Sequence, residues 1–237
     1  MHIAILMTNT DESEFSRTRP GDGEKFSTLI AEHREDWVCS VFSVKDYEFP
    51  NDIGEFDGFI ITGSPASVHG EDPWIERLFE LIRDIEVAKI PMFGACFGHQ
   101  AIALALGGKV SRNPGGWVHG LAQVDTVGKY PFLSDTPETF GTYASHIEQV
   151  SQMPAGAEII AAGPGCKIGG YVLDRHVFTT QYHPEMTDGF ITDLVEEVAD
   201  YVGKDVTETA RESLKGSADR TFLGEQITCF FEWAVAD

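Results

Sequence analysis

The chain has 237 residues, 42% of them in the hydrophobic set, enough for one large domain (1–237) with a substantial core and too few for a second full one. With 38 acidic against 17 basic residues, its formal charge of −21 repels phosphate backbones and anionic membrane surfaces; no nucleic-acid or membrane partner is expected, and the acidic excess reads as a strongly solvated surface. No apolar run is long enough to span a bilayer, and the first residues, Met1-His2-Ile3-Ala4-Ile5-Leu6, form a strand-like run without a basic region or cleavage site, so a cytoplasmic location is expected.

Apolar runs at 2–7, 37–44, 58–62 and 91–95 alternate with helix-like stretches at 24–35, 74–88 and 97–106. This alternation predicts an α/β fold with a mostly parallel central sheet and helices on both faces. From Lys109 to Phe178 the pattern shortens to β-like pieces at 120–127, 138–143, 158–162 and 171–173, separated by Gly, Pro and Asp clusters. These predict an extension of the sheet and a small antiparallel β element. Helical periodicity resumes at 188–202. In a C-terminal helical extension at about 205–237, Leu223, Ile227, Phe230, Phe231 and Ala234 mark one apolar face, expected to pack on the core.

Four cysteines, Cys39, Cys96, Cys166 and Cys229, lie far apart without Cys-x-x-Cys or Cys/His zinc spacing, which excludes a disulfide framework and a structural metal site. Cys39 and Cys229 read as small buried residues. Cys96 reads differently. It lies in Gly94-Ala95-Cys96-Phe97-Gly98-His99-Gln100, between the apolar run Ile90-Pro91-Met92-Phe93 and a helix-like stretch. Glycines on either side allow a sharp strand-to-helix turn that pushes the thiol out at the carboxyl end of a strand. The following helix aims its unpaired N–H groups at the sulfur. These favour thiolate, which matters because a free thiol with a pKa of about 8.5 is mostly protonated at neutral pH.

A nucleophile needs a base, and the base an orienter. Phe178-Thr179-Thr180-Gln181-Tyr182-His183-Pro184-Glu185 supplies candidates for both. Pro184 pushes His183 into the extended region, and residues two apart on an extended segment project to the same side, so His183 and Glu185 face one site.

Taken together, Gly-x-Cys-x-Gly-x-Gln followed by His-x-Glu resembles the class I, triad-type glutamine amidotransferases. Ile60-Ile61-Thr62-Gly63-Ser64-Pro65, Asn113-Pro114-Gly115-Gly116-Trp117 and Ser145-His146 resemble the group that includes the glutaminase half of GMP synthase, over roughly residues 1–191. The resemblance implies a flavodoxin-like fold and no cofactor or metal. It implies attack by Cys96 on the side-chain amide of glutamine, a γ-glutamyl thioester, and release of ammonia and glutamate, with His183 transferring protons and Glu185 holding its tautomer. Backbone N–H groups of Phe97 and Gly63 would receive the oxyanion, each such donor contributing about 3 kcal/mol. Gln100 would help hold the amino-acid end of this small-molecule substrate, as would Ser145 and His146, these two largely through backbone.

The chain shows no Gly-rich nucleotide loop, so the expected ammonia acceptor is a synthetase on a separate chain. The alternative is a γ-glutamyl peptidase, which shares the acyl-enzyme but releases a peptide or amine; a non-catalytic regulatory subunit is disfavoured by the intact triad set. A serine hydrolase is disfavoured because the elbow position is cysteine. His33, His69, His99 and His119 read as solvated side chains.

Overall fold

The computed structural model describes residues 1–133 and 136–236. Its strands are β1 (His2–Met7), β2 (Val38–Ser43), β3 (Gly58–Ile61), β4 (Met92–Ala95), β5 (Lys109–Arg112), β6 (Val118–Thr126), β7 (Thr139–His146), β8 (Glu148–Gln152), β9 (Glu158–Gly163), β10 (Cys166–Leu173) and β11 (Val177–Thr180). The helices are α1 (Glu14–Arg17), α2 (Asp22–His33), α3 (Pro73–Val87), α4 (Phe97–Ala105), α5 (Asp188–Glu197), α6 (Ala199–Val202), α7 (Lys204–Ser213) and α8 (Arg220–Val235).

Nine strands form one sheet in the order β2-β1-β3-β4-β11-β10-β9-β6-β7. From β2 to β11 all pairs are parallel; from β11 to β7 they are antiparallel. β5 and β8 make a separate antiparallel ribbon. The expected α/β architecture with its antiparallel addition is therefore the observed one.

Period-two alternation sorts the strand side chains onto two cores. Ala4, Leu6, Phe59, Ile61 and Met92 face α3 and α4, meeting Leu78, Ile82 and Ile102. Ile3, Ile5, Ile60, Phe93 and Phe178 face α2 and α8, meeting Leu29, Ile30, Ile227, Phe230 and Phe231. Residues of β1, β3 and β4 thus appear in both clusters, the mark of a sheet buried on both faces. α3 starts with Pro73, whose missing N–H costs nothing in the first turn, and buries Trp74, Ile75, Leu78, Leu81, Ile82 and Ile85 along one stripe. The apolar face of α8 packs on the core as expected. A clasp fixes its outer side to the end of α2: the Arg34 guanidinium reaches Glu232 at 2.7 and 2.9 Å and Glu225 at 3.1 and 3.2 Å.

Departures from the sequence reading have local causes. The helical run 188–202 breaks at Val198 into α5 and α6, and Gly203 follows at φ 93°. β5 and β8 escaped detection because each buries one apolar residue, Val110 or Val150, and so shows no alternation. Single-turn α1 has no period to detect; Ser13 caps it by accepting the Ser16 N–H. Cys39 and Cys229 are half-buried rather than buried, Cys39 because β2 is the sheet edge and Cys229 because it borders the Arg34 clasp. Asp237, the last residue of the C-terminal extension, lies outside the described residues.

The glycines around Cys96 serve packing as well as turning. A Cβ on Gly94 would lie 2.7 Å from the Gly98 carbonyl carbon and 2.7 Å from Ile102 Cδ1, and one on Gly98 would strike the Ile61 carbonyl oxygen. Strand β4, helix α4 and strand β3 approach too closely for side chains there. Gly94→Ala should lower stability by about 1–3 kcal/mol through overpacking, read as a fall in the urea midpoint without a change in slope.

Candidate active site

Cys96 leaves β4 with φ 49° and ψ −102°, a conformation that side-chain-bearing residues rarely adopt and that costs on the order of 1–3 kcal/mol. Surrounding hydrogen bonds hold it there. The Cys96 N–H donates to the Thr180 carbonyl at 2.9 Å, the Cys96 carbonyl accepts from the Gln100 N–H at 3.1 Å, and the Gly98 N–H donates to the Thr62 carbonyl at 3.1 Å. The last bond ties the elbow to the loop carrying Gly63. That loop is ordered from below by Thr8, whose hydroxyl lies 3.0 Å from the Thr62 carbonyl and 2.9 Å from the Gly63 carbonyl.

His183 follows β11 by three residues. Its N–H donates to the Tyr143 carbonyl at 2.9 Å, and its ring Nδ1 lies 2.8 Å from Glu185 Oε1, with both side chains buried. An Nδ1–H donating to the carboxylate leaves Nε2 as the ring nitrogen free of Glu185. Burial opposes charge on this ring, but the Glu185 carboxylate and the Cys96 sulfur outweigh it and hold His183 well above its ordinary pKa. A Cβ on Gly63 would sit 2.9 Å from His183 Cε1 and 3.6 Å from Cys96 Cβ, so Gly63 backs onto both residues.

Phe97 is the first residue of α4, where the N–H has no intrahelical acceptor. Gly63 and Phe97 both adjoin Cys96, Gly63 through the loop that meets the Cys96 side chain and Phe97 as the next residue in the chain. Ser145 lines the same cavity as Cys96 and His183. Gln100 and His146 both turn their side chains to partners within the protein. The Gln100 side chain is buried, its Nε2 donating to the Glu148 carbonyl at 2.8 Å and to Gln181 Oε1 at 3.1 Å. His146 points to the other side of β7 from Ser145, with Nδ1 3.2 Å from the Glu148 carbonyl.

These contacts expose a residue that sequence reasoning missed. The Glu148 carbonyl only accepts, so the nearby atom of Gln100 is its amide nitrogen. That nitrogen also meets Gln181, so Gln181 presents its oxygen there and its own nitrogen to Cys96 Sγ, at 3.6 Å. Gln181 therefore aims an N–H at the Cys96 sulfur. The signal was present: the period-two argument that aligned Glu185 with His183 also aligns Gln181.

Three histidines around the site are buried and electrostatically quiet. Burial lowers His99 to about 3, His119 to about 4 and His146 to about 4, with the neighbouring histidines adding to the effect. The expectation of solvated side chains fails for His99, which lies on the core side of α4 with Nδ1 2.8 Å from Thr179 Oγ1, and for His119, which is buried on β6 opposite Ser145 of β7. His33 is likewise tucked against α8, 3.0 Å from Glu225, whereas His69 is exposed. Burial pushes the Cys166 thiol up to about 12, so it stays neutral. Among the described residues no group of three or more His, Cys, Asp or Glu side chains is arranged to hold a metal ion.

Cys96 opens into a cavity of about 260 Å³. Gly63, Ser145 and His183 border the thiol, while α1, the start of α2 and the α5–α6 segment supply the remaining walls. Among the described residues no helix is long and apolar enough to cross a membrane.

The family model for class-I glutamine amidotransferases matches residues 23–192. Gamma-glutamyl peptidase 3 of Arabidopsis thaliana is 29% identical over 83% of this chain and 81% of its own length. The GMP synthase (glutamine-hydrolyzing) of Herminiimonas arsenicoxydans is 30% identical over 88% of this chain but only 46% of its own length. A glutamine amidotransferase crystal structure from Thermotoga maritima superposes with a TM-score of 0.78 at 20% identity, covering 98% of each chain, and thereby shares the fold. The elbow cysteine, the His-x-Glu segment and the sheet that brings them together thus occur in a chain that belongs to the class-I glutamine amidotransferase family.

Proposed function

We propose that this protein is a cysteine hydrolase of γ-glutamyl amides, glutamine among them, acting through a γ-glutamyl thioester. The observation that carries this reading is the strained Cys96 elbow sharing one cavity with a His183 ring fixed at 2.8 Å by Glu185. Cys96 Sγ attacks the side-chain carbonyl carbon, and the oxyanion is received by N–H groups of Gly63 and Phe97, fixed dipoles that need no reorganisation. His183 carries the thiol proton to the departing nitrogen as the C–N bond breaks. Water then attacks the thioester with Nε2 as base, and glutamate leaves. From glutamine the nitrogen departs as ammonia, for which a separate synthetase would be the acceptor, a role in keeping with the GMP synthase relatives.

Mass spectrometry after treatment with a glutamine-mimicking electrophile should find the adduct on Cys96; labelling of Cys39, Cys166 or Cys229 with Cys96 untouched would refute the assignment. His183→Ala should abolish glutamate release, whereas Glu185→Gln should retain a measurable fraction.

The raised pKa of His183 has a sign that can be tested. The leaving nitrogen needs an imidazolium, and the carboxylate keeps the ring protonated to higher pH. Glu185→Gln should therefore move the alkaline limb of the kcat/KM profile to lower pH. A limb left in place would show that Glu185 does not support the charged ring.

Gln181→Met, which keeps the bulk of the side chain but removes its N–H, should slow iodoacetamide alkylation of Cys96 at pH 7 on the order of tenfold, the worth of one hydrogen bond to a charged acceptor. An unchanged rate would show that Gln181 only packs.

A further inference from the structure

The cavity beyond Cys96 is larger and more apolar than the release of ammonia requires. The cavity of about 260 Å³ takes the glutamyl part at the thiol end, and beyond it runs on along α1 and the α5–α6 segment, where ammonia would need no further wall. Phe190, Leu194, Val198 and Val202 recur every four residues along α5 and α6, a stripe facing the cavity, while Ile191 and Val195 fill the core side of α5. Trp117 and Tyr201 meet edge to face at 5.7 Å on the same wall, and Tyr201 is 78% exposed.

The charged residues opposite are already engaged. Arg19 pairs with Asp193 at 2.6 Å and lies 4.0 Å over the Phe15 ring; Lys25 pairs with Asp22 at 2.8 Å and lies 3.4 Å over the Phe190 ring. Asp22 also accepts from Asn9 at 2.8 Å, and Asp11 accepts the Ser13 N–H at 2.8 Å. With two carboxylates and two cations on the lining, the wall carries no net charge in a protein of formal charge −21. Its unused surface is hydrocarbon and aromatic, continuous with the nucleophile. A ligand recognised there gains by burying apolar area at about 25 cal/mol per Å².

We infer that the α5–α6 wall is a leaving-group subsite, and that the preferred substrates are γ-glutamyl amides whose amine carries an apolar or aromatic side chain. The inference rests on the γ-glutamyl thioester reading and specifies its substrate class. The glutamyl part lies beside Gly63, Cys96 and Ser145. The amine departs along the apolar wall with the proton from His183, and water completes the hydrolysis, so no co-reactant beyond water is needed.

The test is glutamate release by the purified full chain from γ-Glu-Phe, γ-Glu-Leu, γ-Glu-Gly and glutamine. kcat/KM for γ-Glu-Phe and γ-Glu-Leu should exceed that for γ-Glu-Gly and for glutamine at least tenfold. Tyr201→Ala and Leu194→Ala should bring the γ-Glu-Phe to γ-Glu-Gly ratio down toward one. Because the ratio is taken within one variant, loss of folded protein does not alter it. Equal efficiency on all four compounds, or a wild-type ratio that survives both substitutions, would overturn the subsite while leaving the thioester chemistry intact. Glutamine preferred over every peptide would point instead to a wall that receives a partner protein. Failure to release glutamate from any of the four would overturn both readings.

Discussion

Parallel pairing of β4 with β11 sets Ala95 opposite Thr180 and ties the Cys96 N–H to the Thr180 carbonyl. One residue beyond each strand end the backbones diverge, Cys96 into a helix and Gln181 toward His183. The geometry of the candidate site descends from this register. A slip of one residue would turn Gln181 and His183 to the opposite face, because strand side chains alternate. The register is secured by apolar contacts below it, where Phe93 and Phe178 meet at 5.0 Å and both lie against the aromatic cluster of α8. The C-terminal helix, distant in sequence from the site, thus supports the strands that carry it.

Strain and charge are concentrated at the same place. Cys96 occupies an unfavourable backbone conformation, and His183 and Glu185 are buried together. Each would be costly alone. The elbow is held by three backbone hydrogen bonds and by the close glycine contacts of β4, α4 and β3. The His183–Glu185 pair is made tolerable by its short hydrogen bond and by neutral neighbours, since burial keeps His119 and His146 uncharged. A cationic neighbour would drive the proton off His183; a second free carboxylate would compete for the ring. The quiet histidines therefore matter for the chemistry without touching it.

The cavity and the molecular surface follow different electrostatic rules. Excess acidic charge on the surface is solvated, whereas the carboxylates and basic side chains lining the cavity are equal in number and each is hydrogen-bonded. Helix α5 joins the two regimes, with acidic residues such as Asp193 and Glu196 outward and an apolar stripe toward the cavity. The family model spans residues 23–192, a range that holds the elbow, the His-x-Glu segment and most of the sheet. The α1 and α5–α6 walls lie outside the motifs that carry the family resemblance.

Local patterning made much of this legible from the residues alone. The β1, β3, β4 and α3 periodicities, the glycine-flanked Cys96 and the placement of His183 and Glu185 on one side all express short-range rules: side-chain period, glycine freedom and the proline effect on its predecessor. What no local rule contains is adjacency. Thr180 lies beside Ala95 because β11 inserts between β4 and β10, a choice made by burial over the whole sheet. Gln100 bonds to Glu148 and Gln181 because the β5–β8 ribbon folds back over α4, and His99 is buried because it falls on the core side of that helix. The apolar stripe of α5 was visible as periodicity, but whether it covered core or lined a cavity depended on which elements the tertiary structure packed against it. Residue type and spacing determined the chemistry available to this chain; the long-range burial of its strands and helices decided which groups meet, because the free energy that selects those contacts belongs to the packed sheet and not to any segment of it.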